Sequence, residues 1–174
     1  LLDQLGLLDL ILPEIARRYV AEGAKVAVAD INEAGAKAIA DSLGSSAIAI
    51  KCDVSKRADI NNLVAATVKK FGTLDIVVNN AGFTHKNSSM LDVDEETFDR
   101  MFDINVKSIY LMTQAVVPIM RAKQGGCIIN VGSVSGMRPR PGLVWYAGSK
   151  AAVNLMSKAM AVELGPDNIR VNAL

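Results

Sequence analysis

The sequence has few of the residues on which metal and redox chemistry depends. Aromatic residues make up 5% of its 174 residues, and it contains one histidine and two cysteines. No set of His, Cys and acidic residues has the spacing of a metal-ligand motif, so we expect no metal site. Cys52 and Cys127 both fall in predicted strands, and we interpret them as buried free thiols in a reducing cytoplasm.

The sequence also lacks an excess of charge of either sign. Its 19 Lys and Arg stand against 18 Asp and Glu, and no basic stripe is visible. Nucleic acid is therefore excluded as a partner. The Leu-rich start, residues 1–12, is too short to span a membrane, and Asp3 and Asp9 interrupt it. It has no basic residue at its beginning, so it is not a secretion signal either, and we expect a cytoplasmic protein.

Short apolar runs alternate with helical patterns along the chain. The predicted strands are 25–30, 47–52, 74–79, 126–132 and 169–173. The predicted helices are 13–22, 32–43, 55–71, two stretches from about 92 to 123 that are broken near Asn105, and 145–164. Pro13 suits the first turn of its helix, and Asn32 and Ser55 suit helix caps. The alternation predicts an α/β fold with a doubly wound parallel sheet.

Polar residues collect where the predicted strands end. Asp30, Asp53, Asn79, Asn80 and Ser133 each close a strand. In open parallel sheets, ligands bind beyond the carboxyl ends of the strands. The sequence therefore predicts a ligand site at this edge of the sheet.

The stretch 133–150 carries the residues of a proton-transfer site. Tyr146 and Lys150 are four residues apart, which places them on one face of the predicted helix. A tyrosine is a weak acid or base at neutral pH, but a nearby ammonium and the positive end of a helix both favour its phenolate form. The Ser133 hydroxyl could hydrogen-bond a substrate oxygen beside the phenol. The alternative is a packed tyrosine with a solvated lysine.

The order and spacing of five motifs resemble the short-chain dehydrogenase/reductase family. The resemblance runs from about residue 15 to the last residue. Its motifs are Asn79-Asn80-Ala81-Gly82, Asn105 within Ile-Asn-Val, the strand 128–133 that ends in Ser133, Tyr146-x-x-x-Lys150, and the strand 170–173. The resemblance implies a single dinucleotide-binding domain over 1–174, of Rossmann type, incomplete at both ends.

The resemblance also implies a mechanism. Hydride would pass between a nicotinamide and a carbonyl or secondary alcohol, with 3-oxoacyl thioesters, sugars, steroids and small ketones as candidate substrates. Tyr146 would exchange the proton with the substrate oxygen, and Lys150 would favour the phenolate and hold the nicotinamide ribose. Ser133 would hydrogen-bond the substrate oxygen. Asn105 would mark a helix kink and keep a water relay in place, unless it is an ordinary exposed helix residue.

The same resemblance assigns cofactor contacts. It implies binding by Asp30, Ile31, Asp53, Val54, Asn80, Ala81, Gly82, Tyr146 and Lys150. Asp30 would accept hydrogen bonds from the adenosine ribose and repel a 2′-phosphate, so NAD is expected and NADP is less so. Asp53 could instead be a local capping acid, and Asn80 to Gly82 an ordinary turn. His85 is expected to be a solvated loop residue.

The start of the chain departs from the family pattern. The glycine-rich phosphate loop should fall at 5–12, but only Gly6 and Ile11 match it. Leu10 and Leu12 stand at two glycine positions, where they would block the approach of a pyrophosphate. The leucines of this segment recur every three or four residues, which predicts an amphipathic helix. The alternative function is therefore a non-catalytic homologue or truncated fragment that retains the fold and the oligomer interface.

A homodimer or homotetramer is expected from two helices. The family pairs the helices at 106–123 and 145–164 across two-fold axes. We expect apolar residues of these helices to remain for a partner after one face has packed on the sheet. The apolar residues concerned are Ile109, Met112, Val116, Met120, Val153, Met156 and Met160.

Overall fold

The structure is a computed structural model that describes the backbone of residues 7–174 and the side chains from Leu12 onward. Gly6 and the side chains of Leu10 and Ile11 lie outside the described residues. The residues group into two compact units, the first up to Gly72 and the second from Thr73 to Leu174. The single domain over 1–174 stays a prediction.

The first unit is built on a pair of parallel strands. Strand β1 (Val26–Asp30) pairs with β2 (Ala47–Lys51), with Val26 opposite Ala47 and Asp30 opposite Lys51. The helices are α1 (Leu7–Ala21), α2 (Glu33–Ser42) and α3 (Arg57–Phe71). Ala16, Val28, Ala36 and Ala40 form a buried cluster between them. These small side chains let the helices approach the strands closely.

The second unit has three parallel strands in the order β3, β4, β5. They are β3 (Ile76–Asn79), β4 (Gly126–Asn130) and β5 (Ile169–Ala173). Val77 lies opposite Ile128, which in turn lies opposite Val171. The helices are α4 (Glu95–Phe102), α5 (Ser108–Ala122) and α6 (Val144–Leu164). Parallel sheets with flanking helices confirm the predicted α/β fold of Rossmann type.

Two helix starts differ from the prediction. Helix α1 begins by Leu7, so Pro13 lies inside it rather than in its first turn. The leucine periodicity predicts a helix upstream of the proline, and residues 7–12 are helical as that pattern indicates. Ser55 does not cap α3, which begins at Arg57 after Lys56. Ser55 instead donates from both its N–H and its hydroxyl to Asp53 Oδ1.

Most of the apolar residues of α5 and α6 that were expected to remain for a partner are buried, so the prediction was wrong for them. Ile109, Met112, Val116, Met120 and Val153 are buried, while Met156 and Met160 are half-buried. Helical periodicity alone cannot say which of several apolar faces packs inward. The large apolar side chains that α6 exposes most are Leu155, at 70%, and Val162, at 81%.

Two features of the described residues concern membranes and metal ions. Among these residues, no helix has the length and apolar content needed to cross a membrane. Nor does this part of the chain contain a group of three or more His, Cys, Asp or Glu that could hold a metal ion. Cys52 and Cys127 are both buried free thiols, as predicted. Burial, together with the charges of Asp59 and Asp53, raises the pKa of Cys52 to about 11.

Candidate active site

Helix α6 places Tyr146 and Lys150 together, as their spacing predicts. The helix begins at Val144, so Tyr146 lies in its first turn and Lys150 lies one turn later. Lys150 Nζ is 6.0 Å from the centroid of the Tyr146 ring. Tyr146 is half-buried, whereas Lys150 is only 4% exposed. The alternative of a solvated lysine is therefore wrong.

Burial sets the charge state of Lys150. Removal of the ammonium from water lowers its pKa from 10.5 to about 8. Its Nζ donates a hydrogen bond of 2.8 Å to the carbonyl of Val131, just beyond β4. Val131 is fixed in turn because its N–H donates to the carbonyl of Asn79 at the end of β3. The ammonium is thus held at the carboxyl ends of two neighbouring strands.

Ser133 begins a short turn that packs against α6. Its Oγ accepts a 3.1 Å hydrogen bond from the N–H of Ser135, and its O–H remains available as a donor. The turn ends at Gly136, where an added Cβ would lie 2.7 Å from the backbone N of Ala151. Only glycine allows this approach. The turn therefore holds Ser133 beside the helix that carries Tyr146.

Asn105 lies in the predicted helix break, which is a single π-helical segment at Asp103–Lys107. The side chain is 2% exposed, so the alternative of an exposed helix residue is wrong. Its Oδ1 accepts from the N–H of Phe83 at 2.8 Å, and its Nδ2 donates to the carbonyl of Phe83 at 2.9 Å. Nδ2 also donates to Ser149 Oγ at 3.0 Å. The proposed water relay stays a prediction.

The segment after β3 lies against the same residues. An added Cβ at Gly82 would come within 3.6 Å of Lys150 Nζ and 3.7 Å of Asn105 Oδ1. Ala81 is exposed and Asn80 is half-buried, with its N–H donating to the carbonyl of Val78. The backbone at Gly82 is therefore next to the buried ammonium.

Asn79 connects the sheet to α6. Its Nδ2 donates to Asn130 Oδ1 at 2.8 Å, and Asn130 Nδ2 donates to Ser157 Oγ at 2.9 Å. Asn130 and Ser157 are both buried. Asn79, through Asn130, thus fixes β3, β4 and α6 to one another.

In the first unit, the acidic residues at the strand ends are held by local hydrogen bonds. Asp30 is half-buried, and its Oδ1 accepts from the N–H of Asn32, which caps α2 through Gly35. Ile31 is exposed. Asp53 Oδ1 accepts from the N–H and the hydroxyl of Ser55, and Val54 is half-buried.

The expectation of a solvated His85 was wrong. The residue is half-buried, and its Nδ1 lies 2.7 Å from the carbonyl of Lys86. Its Nε2 is buried without a hydrogen-bond partner among the described residues. The loop that carries it is docked on the segment before α6, since Asn87 Nδ2 donates to the carbonyl of Pro141. Trp145 Nε1 likewise donates to the carbonyl of Met90.

Each unit contains a group with the chemistry of a ribose contact. In the second unit the Lys150 ammonium, beside the Gly82 backbone, can donate to a hydroxyl, and in the first unit the Asp30 carboxylate can accept from one. The segment 7–12, which the resemblance aligns with the phosphate loop, is helical. Leu12 packs against the buried cluster of Ala16 and Val28. Obstruction by Leu10 and Leu12 stays a prediction.

Two residues of this arrangement were missed by the sequence reasoning. Ser149 and the backbone of Phe83 both bond Asn105. A serine inside a helix, directly before Lys150, was the available signal, because such a hydroxyl needs a partner when it is buried. The contact between Phe83 and Asn105 joins residues 22 positions apart, and no local sequence pattern indicates it.

Comparison with known proteins gives the same family by three routes. A model of the short chain dehydrogenase family matches residues 11–174. The chain is 45% identical over 163 residues to 4-formylbenzenesulfonate dehydrogenase TsaC1/TsaC2 of Comamonas testosteroni, covering 92% of this chain and 65% of the relative. It is 39% identical over 168 residues to 3-oxoacyl-[acyl-carrier-protein] reductase FabG of Chlamydia muridarum, covering 92% and 66%.

A solved structure agrees with these relatives. The 3-ketoacyl-(acyl-carrier-protein) reductase from Brucella melitensis, complexed with NADH, superposes with a TM-score of 0.89 at 42% identity. The match covers 91% of this chain and 67% of that protein. The chain spans 65% of the Comamonas relative and 59% of the human dehydrogenase/reductase SDR family member 4. The family model and these relatives show that the chain belongs to the short-chain dehydrogenase family.

Proposed function

We propose that the protein is an oxidoreductase that interconverts a carbonyl compound and a secondary alcohol with a nicotinamide cofactor. The observation that carries this proposal is the start of α6, where Tyr146 lies one turn before a buried Lys150. The Ser133 turn packs on the same helix through Gly136. A buried lysine of lowered pKa beside a phenol is an arrangement of the kind that functional sites use to adjust proton affinity.

Each residue has a distinct task in this proposal. Tyr146 gives its phenolic proton to the carbonyl oxygen during reduction, or takes the proton from the alcohol during oxidation. Lys150, still charged below pH 8, stabilises the phenolate that results. The free O–H of Ser133 hydrogen-bonds the substrate oxygen, and Asn105 holds the water relay. When bound, the cofactor supplies or accepts the hydride.

We propose NAD rather than NADP as the cofactor. Asp30 supports this choice, because its carboxylate is held at the end of β1 and would repel a 2′-phosphate. Ile31, Asp53 and Val54 follow on the same unit as further contacts. Asn80, Ala81 and Gly82 would contact the nicotinamide end. NADH in the Brucella reductase is consistent with this assignment.

The substrate is proposed to be a small carbonyl or alcohol compound. The names of the relatives support the class, since one is a dehydrogenase of an aromatic aldehyde and another a 3-oxoacyl reductase. Val134 and Met137, in and just after the turn that begins at Ser133, are both exposed. These side chains favour a substrate with an apolar body over a sugar.

A second candidate is a non-catalytic homologue that keeps the fold and an oligomer interface. The helical segment 7–12, with Leu12 packed into the apolar cluster, favours it, because such a segment offers no phosphate loop. One experiment separates the two candidates. NADH binding is followed by fluorescence, and NADH oxidation is followed with an aromatic aldehyde, a small ketone and a 3-oxoacyl thioester. Binding of NADH together with turnover supports the enzyme. The absence of both binding and turnover supports the second candidate.

A further inference from the structure

Ser149 is the most completely enclosed polar residue next to the proposed catalytic pair. It precedes Lys150 directly and is 0% exposed. Its Oγ donates to the carbonyl of Tyr146 at 2.8 Å and accepts from Asn105 Nδ2 at 3.0 Å. The hydroxyl therefore bridges the backbone of Tyr146 to a side chain 44 positions earlier in the sequence.

The bridge continues beyond Asn105. The remaining side-chain hydrogen bonds of Asn105 go to the N–H and the carbonyl of Phe83. Gly82 precedes Phe83 and lies beside Lys150 Nζ. The contacts thus form a hydrogen-bonded circuit that runs from the Tyr146 carbonyl through Ser149 and Asn105 to the backbone of Phe83. Gly82, next to Phe83, lies beside the ammonium of Lys150.

The first turn of α6 has no side-chain cap, and the Ser149 hydroxyl ties its Tyr146 carbonyl to Asn105. Leu143, at the N-cap position, makes no side-chain hydrogen bond. Helix ends without such a partner fray. If the Ser149 hydroxyl is removed, one N–H of Asn105 is left buried without a partner, and only the hydrogen bonds to Phe83 still hold the amide. Both the Tyr146 backbone and the Phe83 segment then lose a fixed neighbour.

We propose that Ser149 is a positioning residue, which acts through Asn105 to hold Tyr146 and Lys150 in register with the Gly82–Phe83 backbone. It touches no substrate or cofactor. Its effect on turnover rests on the proposed function of Tyr146, while its effect on the circuit does not.

The same helix provides a matched control. Ser157 lies two turns after Ser149 and is also buried. Its Oγ donates to the carbonyl of Val153 at 2.7 Å and accepts from Asn130 Nδ2 at 2.9 Å. Ser157→Ala therefore removes the same kind of bridge from the same helix, away from the proposed catalytic pair.

The test compares Ser149→Ala with Ser157→Ala in two measurements. Amide hydrogen exchange by NMR is expected to show a selective loss of protection at Phe83 in Ser149→Ala, beyond any loss of global stability measured by urea unfolding. In turnover assays, Ser149→Ala should lower kcat by about 10- to 100-fold, the scale of a small misplacement of reacting groups, with little change in the KM for NADH. Ser157→Ala should change neither quantity beyond its effect on stability.

A double substitution checks the route. If Ser149 acts through Asn105, adding Ser149→Ala to Asn105→Ala should lower kcat much less than Ser149→Ala does alone. Equal protection of Phe83 in the two serine variants would overturn the proposal, whether or not turnover is detected. So would normal kcat in Ser149→Ala when Tyr146→Phe abolishes turnover. A further outcome is that Phe83 loses protection in Ser149→Ala while Tyr146→Phe leaves turnover unchanged. That outcome would support the bridge and refute the proposed function.

Discussion

At the scale of single residues, the most demanding feature is the buried ammonium of Lys150. The folded protein releases its proton near pH 8, whereas an unfolded lysine does so at 10.5. Above 10.5 the side chain is neutral in both states and burial carries no charge penalty. As pH falls from 10.5 through 8, the unfolded state binds the proton more readily, so the folded state loses stability.

Replacement of Lys150 by methionine should therefore stabilise the fold at neutral pH. The expected gain in the free energy of unfolding is up to about 3 kcal/mol at pH 7, less whatever the hydrogen bond to Val131 contributes. The gain should shrink steadily between pH 8 and 10.5. Urea unfolding at several pH values measures it. A gain that does not change with pH would mean that Lys150 is not buried as a cation.

Tyr146→Phe removes only the phenolic oxygen and keeps the ring. Turnover should fall by about 10²- to 10⁴-fold, because a general acid acts only in the transition state. NADH affinity should stay nearly unchanged. Lys150→Ala should lower both turnover and NADH affinity, since the lysine serves both phenol and ribose. Steady-state kinetics and fluorescence titration measure these effects. Retention of more than about a tenth of turnover in Tyr146→Phe would make the tyrosine a packing residue.

Asp30 should decide the choice of cofactor. NADH is expected to bind more tightly than NADPH, because the carboxylate at the end of β1 repels the additional phosphate. Asp30→Ala should narrow the difference by weakening that repulsion. Fluorescence titrations with both cofactors measure it at low salt, where the repulsion is least screened. Tighter binding of NADPH to the unmodified chain would contradict the assignment.

At the scale of secondary-structure elements, the contact of the Ser133 turn with α6 depends on glycine. Gly136→Ala should destabilise the protein by about 1–3 kcal/mol, because the added methyl meets helix backbone that cannot move aside. Gly148 is the control, since it lies within α6 and an added Cβ would meet nothing within 4 Å. Gly148→Ala should stabilise the helix by up to about 1 kcal/mol. Thermal unfolding distinguishes these opposite signs, and equal shifts would show that the turn does not pack as described.

The elements themselves were largely predictable, but the contacts between them were not. The five strands of the described residues follow from apolar runs, and the break near Asn105 follows from an asparagine that disfavours a regular helix. Pro13 does not mark the start of α1 as predicted, because the leucine periodicity around it extends the helix upstream. Ser149 and Phe83 were missed since their roles come from tertiary hydrogen bonds. No local pattern encodes a partner that lies far away in the sequence.

At the scale of the whole molecule, we predict self-association into a dimer or tetramer. Leu155 and Val162 lie seven residues apart on α6, hence on one face, and both are largely exposed. Light scattering at micromolar concentration should give a mass of two or four chains. Leu155→Glu with Val162→Glu should reduce that mass to one chain. Lys70→Glu, a charge change at an exposed residue near the end of α3, is the control and should leave the mass unchanged. A single-chain mass for the unmodified protein would refute the prediction.

The two asparagine–serine bridges to α6 also limit the alternative structures available to the chain. Helix α6 is rich in alanine and other small apolar residues, so many of its rotations would bury a similar apolar area. A slip of one residue turns a helix by about 100° and would break both bridges at once. Four buried polar side chains, Ser149, Ser157, Asn105 and Asn130, would then each lose one hydrogen bond. The bridges thus act mainly by excluding structures in which α6 packs in a shifted register. A wholly apolar helix of equal stability would permit such structures.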